Sequence, residues 1–171
     1  VTGCKKYDQK FLGPEYVEAS DNFALSTSDF EVWRKNKNSG FESQLVSPAP
    51  ATFAANFNYY KLKFNERVSW TVTVIGTNSG AQRIIKGVSD SIGKSNTMWD
   101  GGGTNGIFFD TDDSLDIKIT FAGTAISLSK KMKLTGVKNY NYTDPFSGVK
   151  YYSIDDFEGG FATTTGLSAF Y

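Results

Sequence analysis

Apolar and polar residues alternate with a period of two through the middle of the chain. The stretches "NYYKLKFN" (58–65), "SWTVTVIG" (69–76) and "SLDIKITFAG" (114–123) each place every second residue, an apolar one, on a common face. Successive side chains of a strand point to opposite faces of a sheet, so these stretches predict strands with one buried face. The residues assigned to that face are Tyr60, Leu62, Phe64, Trp70, Val72, Val74, Leu115, Ile117, Ile119 and Phe121.

Further strands are predicted on both sides of this region. "NFALS" (22–26) and "DFEVWRK" (29–35) look extended, and "AISLSKKMKLTGVKNY" (125–140) favours one or two strands. "KNKNSG" (35–40) has turn chemistry, "GTNSG" (76–80) predicts a hairpin into "AQRIIKG" (81–87), and the two prolines of "SPAPATF" (47–53) predict a loop.

About eight or nine short strand candidates without a convincing helix predict an all-β fold, an antiparallel β-sandwich of the jelly-roll or immunoglobulin-like type. Residues 1–20 are interpreted as a lipobox and tether, and residues 21–144 as the sandwich. Residues 145–171 either close the sandwich or begin a second module.

The composition narrows the chemistry that the chain can carry. Eighteen basic residues balance eighteen acidic ones among 171, so no net field favours nucleic acid or an anionic membrane. Histidine is absent and cysteine occurs once, which removes the residues most used for zinc, copper and iron sites and for imidazole proton transfer. No apolar run is long enough to span a bilayer. We therefore expect membrane contact only through a lipid anchor.

The single cysteine lies in "VTGCKK" at the start of the sequence. An aliphatic residue, two small residues and a cysteine resemble a bacterial lipobox, in which Cys4 would become the lipidated first mature residue. The alternative is a free thiol that follows a glycine. We favour lipidation, which predicts a lipoprotein of the bacterial cell envelope, on either the periplasmic or the surface side of the outer membrane.

Lipidation of Cys4 is directly testable. Protein extracted from membranes of a bacterial host is expected to carry a diacylglyceryl group on Cys4, because the lipobox directs that modification. Mass spectrometry that finds Cys4 unmodified would rule out the lipid anchor.

"WDGGGTNG" (99–106) contains a G-x-G-x-x-G pattern. A dinucleotide site requires a helix after such a loop, and the sequence that follows alternates like a strand. The stretch therefore predicts a turn between strands. Trp99 is expected to plug one end of the sandwich, with a binding lip formed by the loop and Asn105 as the alternative.

Trp33 is the main candidate for ligand binding. If Phe30 and Val32 face the core, Trp33 lies on the opposite, charged face with Glu31 and Lys35. An exposed aromatic ring beside polar groups suits a sugar, whose apolar C–H face stacks on the ring while its hydroxyls are hydrogen bonded. Tyr59 lies on the lysine face of its strand and supports the same hypothesis. The alternative is that Trp33 covers a sheet edge.

The acidic run "DTDDSLD" (110–116) suggests a calcium site, with Asp110, Asp112 and Asp113 as ligands, since hard cations prefer several oxygens in one loop. Leu115 stands where an EF-hand loop requires glycine, which favours a polar turn instead. No pair of carboxylates is placed across a cleft as a glycosidase requires, so no catalytic residue is assigned.

Two families resemble parts of this sequence. The segment between Trp70 and Gly123 resembles the hairpin and W-D-G-x-x-x-N-G turn of the immunoglobulin-like domain of flagellar hook-capping proteins. The stretches that carry this resemblance are "WTVTVI", "SGAQRIIKG", "WDGGGTNG" and "LDIKITFAG". It implies β-sandwich geometry. The lipobox, the aromatic strands and "IDDFEGG" (154–160) are similar to secreted Bacteroidota lipoproteins with jelly-roll, galactose-binding-like carbohydrate modules. That resemblance implies a non-catalytic glycan-binding module, with a further domain after it. In that group, acidic residues directly after the lipidated cysteine favour export to the cell surface. This chain has "CKKYDQK" at that place, so it departs from the pattern.

The two functional hypotheses are a carbohydrate-binding module of a lipid-anchored envelope protein and a structural or adhesive module without a small ligand.

Overall fold

The computed structural model describes residues 15–45, 51–53, 56–111, 113–136, 142–143 and 150–151. It confirms an all-β, antiparallel, sandwich-like fold in which the sheet is curled as a half-barrel. The elements in chain order are β1 Glu31–Asn36, β2 Glu42–Leu45, β3 Ala51–Thr52, β4 Asn56–Gly76, β5 Gln82–Ile92, α1 Lys94–Thr97, β6 Ser114–Phe121, β7 Ser127–Gly136, β8 Tyr142–Thr143 and β9 Lys150–Tyr151.

Strand β4 organises the sheet. It runs for 21 residues as one strand where the sequence predicts two. Its first part pairs with β1, and its last part lies between β5 and β6. The sheet order is β2-β1-β4-β6-β7-β3, with β5 added on β4. The register with β5 shifts between Lys63 and Val68, and such an irregularity lets a strand bend. The two halves of the sheet therefore share one strand.

The alternating residues predicted to be buried line the core of the curled sheet. All ten have an exposed fraction of 6% or less. Phe23, Phe64 and Phe121 meet with ring centroids 4.9 to 5.8 Å apart, so the segment before β1 closes one side of this core. Phe30 and Val32 add the apolar face of β1. A single hydrophobic cluster thus holds both halves of the sheet together.

Some elements differ from the sequence-based expectation. Part of the predicted loop 47–53 forms β3, which pairs in parallel with β7. Residues 15–20, assigned to the tether, lie on the sheet, because the N–H of Ser69 donates to Val17 O (2.8 Å) and that of Ala19 donates to Ala122 O (2.9 Å). Cys4, the "IDDFEGG" stretch (154–160) and most of 145–171 fall outside the described residues. Within the described ranges, no helix has the length and apolar character needed to cross a membrane.

Trp70 and Gly87 are cross-strand neighbours on β4 and β5. The Trp70 ring lies over Gly87, and its Nε1 donates to Ser89 Oγ at 2.8 Å. A Cβ atom at position 87 would overlap this ring. The absence of a side chain at Gly87 is therefore what lets the indole stay buried at 2% exposure.

Gly87→Ala is expected to lower the free energy of unfolding by about 2 kcal/mol, because the added methyl group forces the Trp70 ring out of place. Denaturant unfolding measures the change. The control is Gly93→Ala, whose Cβ meets nothing within 4 Å in extended backbone and is expected to cost less than about 1 kcal/mol. Equal losses in both variants would show that steric overlap with Trp70 is not the cause.

Candidate functional site

One face of β1, β2 and β4 carries the main site candidate. The register pairs Glu31 with Lys61, Trp33 with Tyr59 and Gln44, and Lys35 with Glu42. Paired residues of an antiparallel sheet point to the same side, so this set faces away from Val32 and the core. We call it the Trp33 surface, which consists of Glu31, Trp33, Lys35, Glu42, Tyr59 and Lys61. Trp33 is therefore opposite the core, as the sequence predicts.

The Trp33 ring is half-buried and held in place by polar contacts. Its Nε1 donates to Glu31 Oε2 at 2.7 Å. The Lys61 Nζ atom lies 3.6 Å from the ring centroid, a cation–π contact. The Tyr59 ring lies alongside, with its centroid 6.3 Å away and an interplanar angle of 18°. The orientation of the indole is thus set before any ligand arrives.

Tyr59 does not present a ring face to solvent. It is fully buried, which corrects the expectation that it contacts a ligand. Its hydroxyl donates to Glu42 Oε2 at 2.8 Å, and Glu42 Oε1 forms an ion pair with Lys94 of α1 at 2.7 Å. The hydrogen bond from Lys94, followed by that from Tyr59, lowers the pKa of Glu42, while burial raises the pKa of Tyr59. Tyr59 therefore supports Trp33 from beside it.

Trp99 plugs one end of the fold, and its burial rules it out as a ligand platform. It is 2% exposed and packs against Phe53 and Phe109 with ring centroids 4.4 and 5.3 Å away. Its Nε1 donates to Gly102 O at 2.7 Å. The glycine loop thus turns around the indole, and residues 107–113 lead to β6 without a helix in their described part. The described part of residues 107–113 therefore offers no helix N-terminus that could bind a phosphate.

Asn105 is exposed, but the structure uses its amide to hold the glycine loop. Its Oδ1 accepts from the N–H groups of Gln82 (3.0 Å) and Ile107 (3.3 Å). Its Nδ2 donates to Gly80 O at 3.0 Å. Together these bonds attach the loop to the start of β5, so Asn105 fixes the loop instead of forming a binding lip.

Asp113 is a buried turn anchor and not a calcium ligand. Its Oδ1 accepts from the N–H groups of Asn78 (2.8 Å) and Ser79 (3.0 Å), and its Oδ2 accepts from Ser79 Oγ (2.6 Å) and the N–H of Asp110 (2.8 Å). These donors occupy both oxygens. Asp110 is exposed, and Asp112 lies outside the described residues. Across the described part of the chain, no three His, Cys, Asp or Glu side chains are grouped to hold a metal.

The sequence pattern alone did not indicate Lys61, Glu42 or Lys94 as site residues. Lys61 could have been found, since it shares the period-two face of Tyr59. Glu42 and Lys94 are 52 residues apart, and no local pattern links them. Only the packing of α1 beside β4 brings them together.

Asp113→Ala is expected to lower the free energy of unfolding by about 3 kcal/mol at neutral pH, because it leaves several part-buried donors of the 77–80 turn without an acceptor. Burial raises the pKa of Asp113, but its hydrogen bonds outweigh this and hold that pKa below the usual value. The Asp113 carboxylate therefore stabilises the fold fully at pH values above the pKa of this group in the unfolded chain. This stabilisation is lost as pH falls through the lower pKa of the folded state.

Denaturant unfolding measured across the acid pH range tests the predicted loss of stability. The control is Asp110→Ala at an exposed position, which is expected to change the free energy of unfolding by less than about 0.5 kcal/mol. A wild-type melting temperature that rises with calcium and falls with chelator would contradict the turn-anchor assignment.

Comparison with known proteins finds no matching family model, no matching curated protein and no matching solved structure. The function is accordingly inferred from the geometry of the chain itself.

Proposed function

We propose that the protein is a non-catalytic carbohydrate-binding module, anchored through Cys4 to the bacterial cell envelope, and that the Trp33 surface binds the glycan. The observation that carries the proposal is a partly exposed indole whose orientation is fixed by the bond to Glu31 and the contact with Lys61. A preset ring loses little conformational freedom when a pyranose stacks on it, which favours binding.

The surroundings of the ring supply polar partners for sugar hydroxyls. Glu31 offers carboxylate acceptor positions, while Lys35 and Lys61 offer ammonium donors on the same face. Lys61 lies over the indole and must move aside for a sugar that stacks on that side. A cation–π contact at an exposed position contributes only about 0.5–1 kcal/mol, so displacing it costs little. Lys61 can then donate to a hydroxyl of the stacked sugar.

The two carboxylates of this surface support binding over hydrolysis. A glycosidase requires a carboxylic acid with a raised pKa facing a second carboxylate. Glu42 has a lowered pKa and is occupied by Lys94 and Tyr59. Glu31 uses one of its two oxygens, Oε2, to accept the Trp33 indole N–H. Neither is placed as a general acid.

The alternative is a structural or adhesive module with no small ligand. In its favour, Trp99, Asn105 and Tyr59 all have their polar groups engaged within the chain. Under this alternative Trp33 and Lys61 only cover the outer side of β4.

Glycan-array screening followed by titration tests the proposal. Trp33→Ala is expected to weaken binding at least about tenfold, which corresponds to about 1.4 kcal/mol, with little change in melting temperature because the ring lies outside the core. Lys61→Met is expected to weaken binding less than Trp33→Ala does, because it removes one ammonium donor and keeps the indole ring. The matched control is Phe41→Ala, which removes an aromatic side chain that is 66% exposed in the β1–β2 turn.

Three results would count against the site. Binding that survives Trp33→Ala removes the Trp33 surface, and equal losses in Phe41→Ala would indicate a general surface effect. No binding to any glycan favours the structural alternative.

A further inference from the structure

A concave feature lies on the outer face of β4, β5 and β6, on residues that the Trp33 surface does not include. It is a groove of about 440 Å³. Thr71 lies in it between two cross-strand neighbours, Lys86 of β5 and Thr120 of β6. Volumes of a few hundred Å³ are typical of sites for small ligands. The groove is therefore large enough for a short oligosaccharide.

The segment before β1 builds one wall of this groove. Glu15 forms a two-pronged ion pair with Arg67, with Glu15 Oε2 accepting from Nη2 at 2.7 Å. The N–H of Val17 donates to Ser69 Oγ at 2.8 Å. These contacts fix the backbone on both sides of Tyr16, whose side chain stays 68% exposed at the groove. The wall thus presents an aromatic ring that core packing does not require.

The groove carries a lysine, Lys86, that forms no ion pair with the residues that the structure describes. The carboxylate of the groove itself, Glu15, is committed to Arg67. Thr71 is the cross-strand neighbour of Lys86, and Thr120 is the neighbour of Thr71 on its other side. An aromatic wall, two hydroxyls and one unpaired ammonium complement a ligand that is both hydroxylated and anionic.

We propose that this groove binds a saccharide that carries a carboxylate, such as a uronic acid residue. Tyr16 stacks on the C–H face of the sugar ring, and Lys86 pairs with the carboxylate. The threonine hydroxyls hydrogen bond to the ring hydroxyls. This goes beyond glycan binding at the Trp33 surface, because it is a separate site with its own ligand class.

The test is calorimetric titration of the whole chain with an oligogalacturonate, and with a neutral oligogalactose of the same length. The acidic ligand is expected to bind and the neutral one to bind at least about tenfold more weakly. Tyr16→Ala is expected to weaken binding of the acidic ligand about tenfold. Lys86→Gln is expected to bind the acidic and the neutral ligand equally. In this variant the affinity for the acidic ligand is also expected to stop depending on ionic strength.

Two control variants separate binding in this groove from general charge attraction and from binding at the Trp33 surface. Lys133→Gln removes an exposed lysine of β7 outside the groove and is expected to change nothing. Trp33→Ala is expected to leave binding of the oligogalacturonate unchanged, so the groove and the Trp33 surface can fail independently. Equal affinity for the two ligands, binding that survives Tyr16→Ala, or binding lost in Trp33→Ala would each overturn the proposal, as would no binding of the acidic ligand at millimolar concentration.

Discussion

Strand β4 is continuous through both halves of the sheet, and every other feature of the fold depends on that continuity. Its first part carries Tyr59 and Lys61 beside β1, and its last part carries Trp70 and Thr71 between β5 and β6. A sheet that shares one strand between its halves cannot move those halves independently. The register irregularity between Lys63 and Val68 allows β4 to bend, and the inner faces of both halves line one core. The outer face of each half carries a separate candidate surface.

Many of the polar residues that look like ligand groups in the sequence are used by folding. Loops of a curled sheet contain backbone donors that no neighbouring strand takes up, and such donors require acceptors. Asp113 supplies those acceptors to the 77–80 turn, and Asn105 supplies them to the start of β5. A carboxylate whose oxygens already accept several short hydrogen bonds has no free position for a cation. The role of Asp113 in the acidic run is thus explained by turn geometry.

Trp33 and Tyr16 differ from Trp99 in what holds them. Trp99 is enclosed by other rings, so packing contacts hold it in place. Trp33 is held by Glu31 and Lys61 at a partly exposed position, and Tyr16 is held through its backbone with the side chain exposed. Neither ring belongs to the hydrophobic core cluster. This is why Trp33 and Tyr16 are proposed as binding residues, while Trp99 is assigned to the core.

The sequence by itself determined the all-β class, the β4–β5 hairpin, the buried faces of β4 and β6, and the outward position of Trp33. These follow from period-two alternation and turn chemistry, which are local. Only the tertiary structure decided that Tyr59 is buried beneath the contact of Glu42 with Lys94, and that Tyr16 stands at a groove beside Lys86. Those arrangements join residues far apart in the chain, through strand register and the bend of β4, and no local periodicity encodes such pairings.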